Sequence, residues 1–448
     1  MKNFKWIKVW LEEGLLLADL GNILRATGEK SQKRFGFGTN QSAMYQKKNY
    51  AEWYLPEEEL ARAENFGRVY FVKAKNIQLV EKAVEQAISN YFLLIKDMAH
   101  LDFEIMNHQE LWLRFEKHFE IFDQFVVVYS FIDEYKYCVL ENDLKEWLTT
   151  KNVADINESI DTVLLSEKKF IYNEASPLMS QSYTEVLKQT KNWKELLNEG
   201  QLFEKGKNDI REKVDLMNQL NPNEKIKKII DSLTRIKFRR YQIRLTYMPG
   251  MIWFDYLLSL IYERVGLMPD DGRLYFYSEL KNLLFGKAKK LSRDELKKRL
   301  TGCLKIYQQK KIKTYWGQEA EDKLKILTGQ ANEKSRDQLK GFAVSSGKVS
   351  GPVLVLSYKD AGNHNEKIKK MKGGEIIVTE MTRPNLLPAL KKAAGVITDE
   401  GGITCHAAIV CREFKLPGLV GTKSATEIFK DGDLVELDTK NSIVRKIK

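Results

Sequence analysis

One histidine of the chain lies in a stretch suited to phosphoryl chemistry. In DEGGITCHAAIVCREF, residues 399–414, His406 follows a glycine pair and opens an apolar run typical of a buried helix. Glycines permit a tight turn close to a ligand, and the first turn of a helix presents unpaired N–H groups that attract an anion. Neutral imidazole is a nucleophile near pH 7. We therefore predict that His406 is catalytic and carries a phosphoryl group.

The neighbours of His406 could hold that group. Gly401, Gly402 and Thr404 are predicted to position the phosphate oxygens through backbone N–H groups and a hydroxyl. Cys405 is interpreted as a small residue packed behind the ring, with a supporting chemical role as the alternative, because no residue type nearby would lower its pKa. Arg412 could form a structural ion pair or contact the phosphate, and the sequence leaves both open.

The elements that must position His406 belong to an α/β pattern that begins after residue 340. GGEIIVTEM reads as a buried strand, PNLLPALKKA as a helix and AAGVITDEGG as a strand that enters the histidine loop. GDLVELDTKNSIVRKI predicts a terminal hairpin that turns at residues 439–441. These elements predict a compact α/β domain over residues 341–448.

The sequence before residue 340 has a different pattern. Amphipathic helical periodicity starts near residue 76 and recurs through 111–148, 182–197, 204–220 and 224–247. We predict a multidomain chain: an irregular, aromatic-rich segment over 1–74 that could contain strands or an ordered loop, and a mostly α-helical domain over 75–334 that binds an acceptor or a partner. The polar stretch from Thr328 to Gly341 is the predicted hinge before the C-terminal domain.

Three stretches of the C-terminal domain resemble a known family. SSGKVSGPVLVL, VTEMTRPNLLPALKKAAGVITDEGGITCHAAIVCREFKLPGLVGT and DGDLVELD are similar, in this order, to the phosphohistidine or swivelling domain of the phosphoenolpyruvate-utilising enzymes. That family includes phosphoenolpyruvate synthase, pyruvate phosphate dikinase and rifampin phosphotransferase. The resemblance implies that His406 is phosphorylated and that its domain swings between a loading site and an acceptor site. It also implies that Thr382 and Arg383 lie near the histidine loop, with Arg383 able to contact the phosphate and Thr382 in a supporting role.

Residues 1–340 lack the glycine-rich phosphate loop and the strand-rich texture of an ATP-grasp domain, and a pyruvate-binding barrel is not expected either. We therefore expect no cofactor and no metal on this chain, with ATP and Mg²⁺ bound by a separate ATP-grasp protein. Phosphoenolpyruvate is the other possible donor. The acceptor is expected to be an unidentified small molecule, and the aromatic stretches from Tyr45 to Leu55 and from Tyr247 to Tyr256 are candidate walls of its pocket.

Length and composition indicate the cellular compartment and the kinds of partner to expect. The chain has 448 residues and no membrane-length apolar run, and its four cysteines show no metal or disulfide spacing, so we expect a cytoplasmic protein without a membrane partner. The net charge of +12 is not gathered into a tail, which argues against a nucleic-acid partner.

Three functions stay open. The preferred one is a phosphotransferase component that needs a partner subunit. The second is a phosphorylatable regulatory or scaffolding protein without turnover of its own. The third is a basic nucleic-acid-binding protein, for which the stretch from Glu224 to Arg244 is the candidate surface.

Overall fold

The computed structural model describes residues 6–13, 20–47, 50–98, 100–151, 153, 156–164, 207–329, 338–357, 363–382, 386–401 and 405–447. The chain forms two compact units. The first, here called the N-terminal unit, comprises Met1–Leu144 and Asn223–Gln330. The second, here called the histidine unit, comprises Lys145–Pro222 and Ala331–Lys448. Each unit is therefore built from two separate segments of the sequence.

The secondary structure mixes helices with two sheets. The strands are β1 (Trp6–Glu13), β2 (Gln41–Lys47), β3 (Tyr50–Pro56), β4 (Cys303–Gln308), β5 (Lys311–Trp316), β6 (Gln338–Lys340), β7 (Phe342–Ser345), β8 (Lys348–Val355), β9 (Ile376–Thr379), β10 (Gly395–Thr398), β11 (Gly418–Val420), β12 (Leu434–Asp438) and β13 (Ile443–Lys446). The α-helices of the N-terminal unit and its boundary up to residue 149 are α1 (Leu20–Arg25), α2 (Ser31–Phe35), α3 (Glu57–Tyr70), α4 (Ala74–Met98), α5 (His108–Phe131) and α6 (Cys138–Thr149). The remaining described α-helices are α7 (Ile156–Leu164), α8 (Lys207–Leu220), α9 (Glu224–Arg264), α10 (Pro269–Gly272), α11 (Tyr277–Leu284), α12 (Arg293–Thr301), α13 (Gly317–Thr328), α14 (His364–Lys370), α15 (Leu387–Leu390), α16 (His406–Glu413) and α17 (Ala425–Ile428).

The N-terminal unit contains a five-stranded antiparallel sheet in the order β1-β3-β2-β4-β5. Strands β2 and β4 are far apart in sequence, yet Gln41 pairs with Gln308 and Gln46 with Cys303. One face of the sheet packs on α13, where Ala43 and Leu304 meet Ala320. Residues 1–74 contain strands, one of the two possibilities that the sequence left open, whereas β4 and β5 lie in the region predicted to be helical.

The helical part of the same unit is held by an aromatic and aliphatic core. Helices α4, α5, α9 and α11 supply buried Leu94, Phe115, Phe254 and Leu280. Helix α5 starts at a capping box in which Asn107 accepts from the backbone of Glu110. Burial of each large apolar side chain contributes about 1.5–3 kcal/mol, so this core rather than helix propensity holds the long helices together.

The histidine unit contains an eight-stranded sheet in the order β6-β13-β12-β8-β9-β10-β11-β7. The four central strands are parallel: β8 pairs with β9, β9 with β10 and β10 with β11. The outer pairings are antiparallel. Short β-branched runs form the central strands, and all four residues of β9 and of β10 are buried. The predicted α/β domain and its terminal hairpin, β12 with β13, are confirmed.

The predicted boundaries at 74, 334 and 341 differ from the two units of the structure. Residues 1–74 do not stand apart, because β2 pairs with β4 in the same sheet. Residues 145–222, predicted as part of one helical domain, group with the C-terminal residues instead. Neither pairing leaves a local trace in the sequence. Most of the predicted hinge, residues 330–337, and the helical pattern at 182–197 lie outside the described residues.

Candidate functional site

His406 is the first residue of α16, the helix that connects the parallel strands β10 and β11. The chain leaves the sheet at Thr398, passes through the glycine loop and enters α16 at His406. In such folds, loops at the carboxyl ends of parallel strands form the binding crevice. The half-buried imidazole therefore lies where backbone N–H groups of a helix start are available to an anion.

Thr382 fixes one nitrogen of this imidazole. Its Oγ1 lies 2.7 Å from Nδ1 of His406, and the threonine itself is buried. The two residues meet because Thr382 follows β9 and His406 follows β10, which are neighbouring parallel strands. In the tautomer whose Nδ1–H donates to Thr382, the ring lone pair is on Nε2. That tautomer is the one suited to nucleophilic attack through Nε2.

The glycine loop is shaped by Gly401 and Cys405. Gly401 has a φ of +107°, and a Cβ at this position would lie 2.6 Å from Sγ of Cys405. Cys405 caps α16, because its Sγ accepts from the backbone N–H of Ala408 at 3.4 Å. The structure thus gives Cys405 a capping contact rather than only the packing role expected from the sequence.

Asp399 anchors the glycine loop at the end of β10, and this role was not predicted from the sequence. It is buried and accepts hydrogen bonds from Thr422 Oγ1 at 3.3 Å and from the backbone and hydroxyl of Thr426. Thr398 adds a second restraint, because its hydroxyl donates to the Glu400 carbonyl at 2.6 Å. One sequence feature could have identified Asp399: it is an acidic residue directly after a buried strand and shortly before two glycines.

A second buried group lies behind Thr382. Glu380, two residues earlier, has no exposed surface and accepts a hydrogen bond from Ser357 Oγ. The carbonyl of Ser357 in turn lies 2.8 Å from Nε2 of His364. These contacts tie the ends of β8 and β9 together and support the segment that carries Thr382. His364 is a buried residue of this unit.

Arg412 forms an ion pair within the histidine unit. Its Nη2 lies 2.6 Å from Oδ2 of Asp161 on α7, and the side chains are only 10% and 2% exposed. Of the two roles left open by the sequence, this geometry supports the structural pair. It also links the helix that starts at His406 to residues 156–164, which precede it by about 250 positions.

The structure brings His406, Thr382, Gly401 and Cys405 into one neighbourhood, and it directs Arg412 to Asp161. The other predicted phosphate-positioning residues, Gly402, Thr404 and Arg383, lie outside the described residues. Their roles stay predictions.

The basic stretch from Glu224 to Arg244 is largely neutralised inside the N-terminal unit. Five of its eight cations contact carboxylates: Lys227 with Glu224, Arg235 with Glu81, Arg239 with Glu85, Lys237 with Glu141 and Arg240 with Asp133. The side chain of Arg244 is outside the described part of the structure. This stretch is therefore a poor candidate for an anion-binding surface.

The two aromatic stretches proposed as pocket walls contact different partners. Trp53 is fully buried and meets Tyr135 edge-on at 5.5 Å between ring centroids. Trp253 meets Phe103 and Tyr256 at 6.0 and 5.8 Å. These contacts fit ordinary packing, and a shared acceptor pocket stays a prediction.

Cysteine, metal and membrane features can be stated for the described residues. The four cysteines are free thiols, and burial raises the pKa of Cys303 to about 12. Within the described ranges, no group of three His, Cys, Asp or Glu side chains could hold a metal ion. None of the helices in the described ranges has the length and apolarity required to traverse a bilayer.

Comparisons with known proteins agree with the geometry of the histidine unit. Residues 371–442 match the family model described as "PEP-utilising enzyme, mobile domain". The chain is 48% identical over 106 residues to a probable phosphoenolpyruvate synthase of Archaeoglobus fulgidus, which covers 24% of this chain and 13% of that protein. It is 43% identical over 118 residues to a probable phosphoenolpyruvate synthase of Methanothermobacter thermautotrophicus, covering 26% and 16%. It is 46% identical over 114 residues to the phosphoenolpyruvate synthase of Pyrococcus furiosus, covering 25% and 13%.

These matches confirm the resemblance of the C-terminal part to the phosphoenolpyruvate-utilising enzymes, and a mobile domain of that family is present there. The chain spans only 13% to 16% of the length of these three relatives. A solved structure of Thermococcus kodakaraensis aconitase X also matches, covering 25% of this chain and 100% of its own, with 20% identity and a TM-score of 0.20, which is too low to support an argument.

Proposed function

We propose that the chain is a phosphotransferase component in which His406 accepts a phosphoryl group and passes it to a bound acceptor. The match of residues 371–442 to the mobile domain supports a phosphotransfer role. The observation that carries the proposal is the 2.7 Å contact between Thr382 Oγ1 and His406 Nδ1 at the start of α16. It presents Nε2 as the attacking atom.

The loading step follows from this geometry. Nδ1–H donates to Thr382, and the lone pair of Nε2 attacks the phosphorus of the donor. A P–N bond forms while the donor's P–O bond breaks, and the leaving oxygen keeps the electron pair of that bond. The first N–H groups of α16 face the added negative charge, which the helix dipole favours.

The unloading step reverses these roles. An acceptor oxygen attacks the phosphorus, the P–N bond breaks, and its electron pair returns to Nε2. The proton of the acceptor hydroxyl passes to solvent or to a base at the acceptor site. Asp399, Cys405 and Thr382 keep the ring and the loop in place, so the same imidazole is available for the next cycle.

The donor side is expected to be a separate ATP-grasp protein that binds ATP and Mg²⁺, with phosphoenolpyruvate as the alternative donor. Gly402, Thr404 and Arg383 are proposed to position the phosphate. The acceptor is proposed to be a small molecule bound elsewhere, and the setting a cytoplasmic one. A regulatory protein that is phosphorylated without turnover is the second candidate, because the histidine site alone does not require an acceptor.

Chemical phosphorylation tests the nucleophile without a partner protein. Potassium phosphoramidate should phosphorylate the full chain at His406, and ³¹P NMR should show an acid-labile, alkali-stable Nε2 adduct. His406→Ala should remove this signal, whereas His118→Phe, a buried histidine of the N-terminal unit, should keep it. An acid-labile phosphorus signal of the same stoichiometry in His406→Ala would exclude His406 as the nucleophile.

Donor and acceptor roles need separate measurements. Labelled ATP with the purified ATP-grasp candidate, and labelled phosphoenolpyruvate alone, decide which donor loads His406. Isothermal calorimetry of the chain with ATP and Mg²⁺ should show no binding, in line with the missing phosphate loop. Micromolar binding would contradict that expectation. Release of label only as inorganic phosphate, across a set of candidate acceptors, would favour the regulatory alternative.

A further inference from the structure

Most of the chain's excess charge lies in one short segment. Residues 287–313 contain eleven lysines and arginines against two acidic residues, Asp294 and Glu295. This segment therefore accounts for a net charge of +9 out of the +12 of the whole chain. Lysine and glutamate alternate through much of the remaining sequence, so the positive charge is more concentrated than the absence of a basic tail indicated.

The structure exposes most of these cations. The segment forms the loop after α11, helix α12 and the hairpin of β4 and β5. Nine of its basic side chains are exposed, and together they are called the lysine surface: Lys287, Lys289, Lys290, Arg293, Lys297, Lys298, Lys310, Lys311 and Lys313. Arg299 and Lys305 are buried and serve the fold instead.

Arg299 ties the parts of the segment together. Its guanidinium pairs with Glu279 at 2.7 Å and lies over the rings of Phe276 and Trp316, at 5.2 and 5.0 Å from their centroids. Trp316 ends β5, and Phe276 precedes α11. The loop, α12 and the end of the hairpin are thus parts of one packed body.

Within the described residues, the lysine surface contacts no counter-charge. Among the residues that the structure describes, none of its nine cations lies within 4.0 Å of a carboxylate. Glu295, one of the two acids of the segment, is engaged by Arg299 at 3.4 Å. The contrast with α9 is direct, because Arg235, Arg239 and Arg240 there are held by carboxylates.

The composition of this surface favours phosphate over protein as its partner. Eight of the nine cations are lysines, and lysine is depleted in protein–protein interfaces, whose cores are apolar and rich in arginine and aromatics. Leu300, 41% exposed, is the segment's one exposed large hydrophobic residue in the described structure. Flexible lysines act as point charges on phosphate groups and need no fixed partner geometry.

Protection of a sheet edge explains only part of the pattern. Lysines on an edge strand such as β5 prevent strand addition by another chain, which would account for Lys311 and Lys313. The cations of the preceding loop and of α12 lie on no strand. Together with Lys310, in the turn between β4 and β5, they leave seven exposed positive charges without that explanation.

We propose that the lysine surface binds the sugar-phosphate backbone of a nucleic acid without base-sequence specificity. The inference goes beyond the proposed phosphotransfer and does not depend on it. Single strands of different sequence are expected to bind with similar affinity, and the affinity should fall steeply with salt because each neutralised phosphate releases a counterion.

Fluorescence anisotropy with the full chain provides the test. The probe is a labelled oligothymidylate of about 20 nucleotides, titrated from about 50 to 200 mM salt. Lys287→Gln/Lys289→Gln/Lys290→Gln should weaken binding at least about tenfold at low salt and reduce the slope of log affinity against log salt by about 2, since single strands contribute about 0.7 per phosphate. Lys310→Gln/Lys311→Gln/Lys313→Gln should act in the same direction and serves as the second variant.

The chain offers a matched control. Lys225→Gln/Lys227→Gln/Lys228→Gln removes the same three charges from exposed positions on α9, and its affinity should stay within about twofold of the parent. Equal losses in all three variants would show that only net charge matters and would overturn the proposal. No binding at 50 mM salt would overturn it as well. Competition by polyglutamate as effective as that by unlabelled oligonucleotide, charge for charge, would assign the surface to an acidic protein instead.

Discussion

The chain places the same side chain in two opposite settings, at His118 and at His406. His118 lies on α5 with no exposed surface, and its Nε2 is 3.3 Å from the hydroxyl of Tyr91. The ring stacks on Phe254 at 5.5 Å. Burial lowers the pKa of His118 to about 3, so this imidazole stays neutral and behaves as an aromatic packing residue.

His406 is held by polar contacts on a backbone turn instead. It is half-buried at the first turn of α16, and its Nδ1 faces a threonine hydroxyl. The loop before it is anchored by Asp399, and the helix after it by the ion pair of Arg412 with Asp161. The difference shows that a histidine becomes a candidate nucleophile through its position and one oriented nitrogen, whereas aromatic burial removes both access and charge.

The largest effect is expected from breaking the ion pair that holds α16. Asp161→Ala leaves the mostly buried Arg412 without its carboxylate, which should cost about 3 kcal/mol of local stability. Hydrogen exchange of the α16 amides should then accelerate about a hundredfold, while exchange in α5, which carries His118, should not change.

An exposed ion pair provides the control for this variant. Asp231→Ala removes a carboxylate that contacts Arg235 and is 62% exposed, and it should change exchange in either helix by less than about threefold. Exchanging the charges in Asp161→Arg/Arg412→Asp should recover part of the protection. Unchanged exchange of α16 in Asp161→Ala would mean that the pair does not hold the helix.

The second effect concerns the oriented nitrogen of His406. Thr382→Val keeps the side-chain shape but removes the hydroxyl at Nδ1, so phosphorylation by phosphoramidate should slow about 10- to 100-fold. Thr382→Ser should keep most of the rate. Nitrogen-15 NMR of the imidazole should show a shifted tautomer balance only in the valine variant. A valine variant that reacts at the parental rate with the parental tautomer would remove Thr382 from the site.

The smallest effect is expected at His118, the buried histidine of the comparison. Because the folded pKa of His118 is about 3 and the unfolded value is about 6.5, the unfolded state binds more protons between these two values. The contribution of His118 to the free energy of unfolding is therefore fully present above about pH 6.5. It is lost as the pH falls below that value, by up to about 1.4 kcal/mol per pH unit.

His118→Phe removes this proton uptake and keeps the stacking with Phe254. Urea unfolding of the N-terminal unit, followed by tryptophan fluorescence at pH 7 and pH 5, should show a smaller pH dependence in the variant by about 1 kcal/mol per unit. His100→Phe, at an exposed position, is the control for replacing a histidine by phenylalanine. Identical pH dependence in the parent and in His118→Phe would indicate that His118 titrates normally.

The sequence predicted the features that depend on local patterns. The glycine pair and apolar run located the turn and helix of His406, and the terminal hairpin followed from its turn residues. Contacts between distant segments left no such trace. The pairing of β2 with β4 and the bond from Arg412 to Asp161 join positions about 250 apart, and no periodicity or spacing encodes a partner at that distance.

The discontinuous histidine unit limits how this domain can be moved between genes. The family match at 371–442 covers one continuous segment, which suggests a domain that could be transferred as a unit. Arg412 within it, however, pairs with Asp161 on α7, which precedes α9 in the sequence. A recombination event that joined residues from 331 onward to another protein would deliver His406 on a helix whose Arg412 has lost its carboxylate partner. Descendants of such an event would need a replacement for Asp161 or an apolar substitution at Arg412, and either change would mark the history of the transfer.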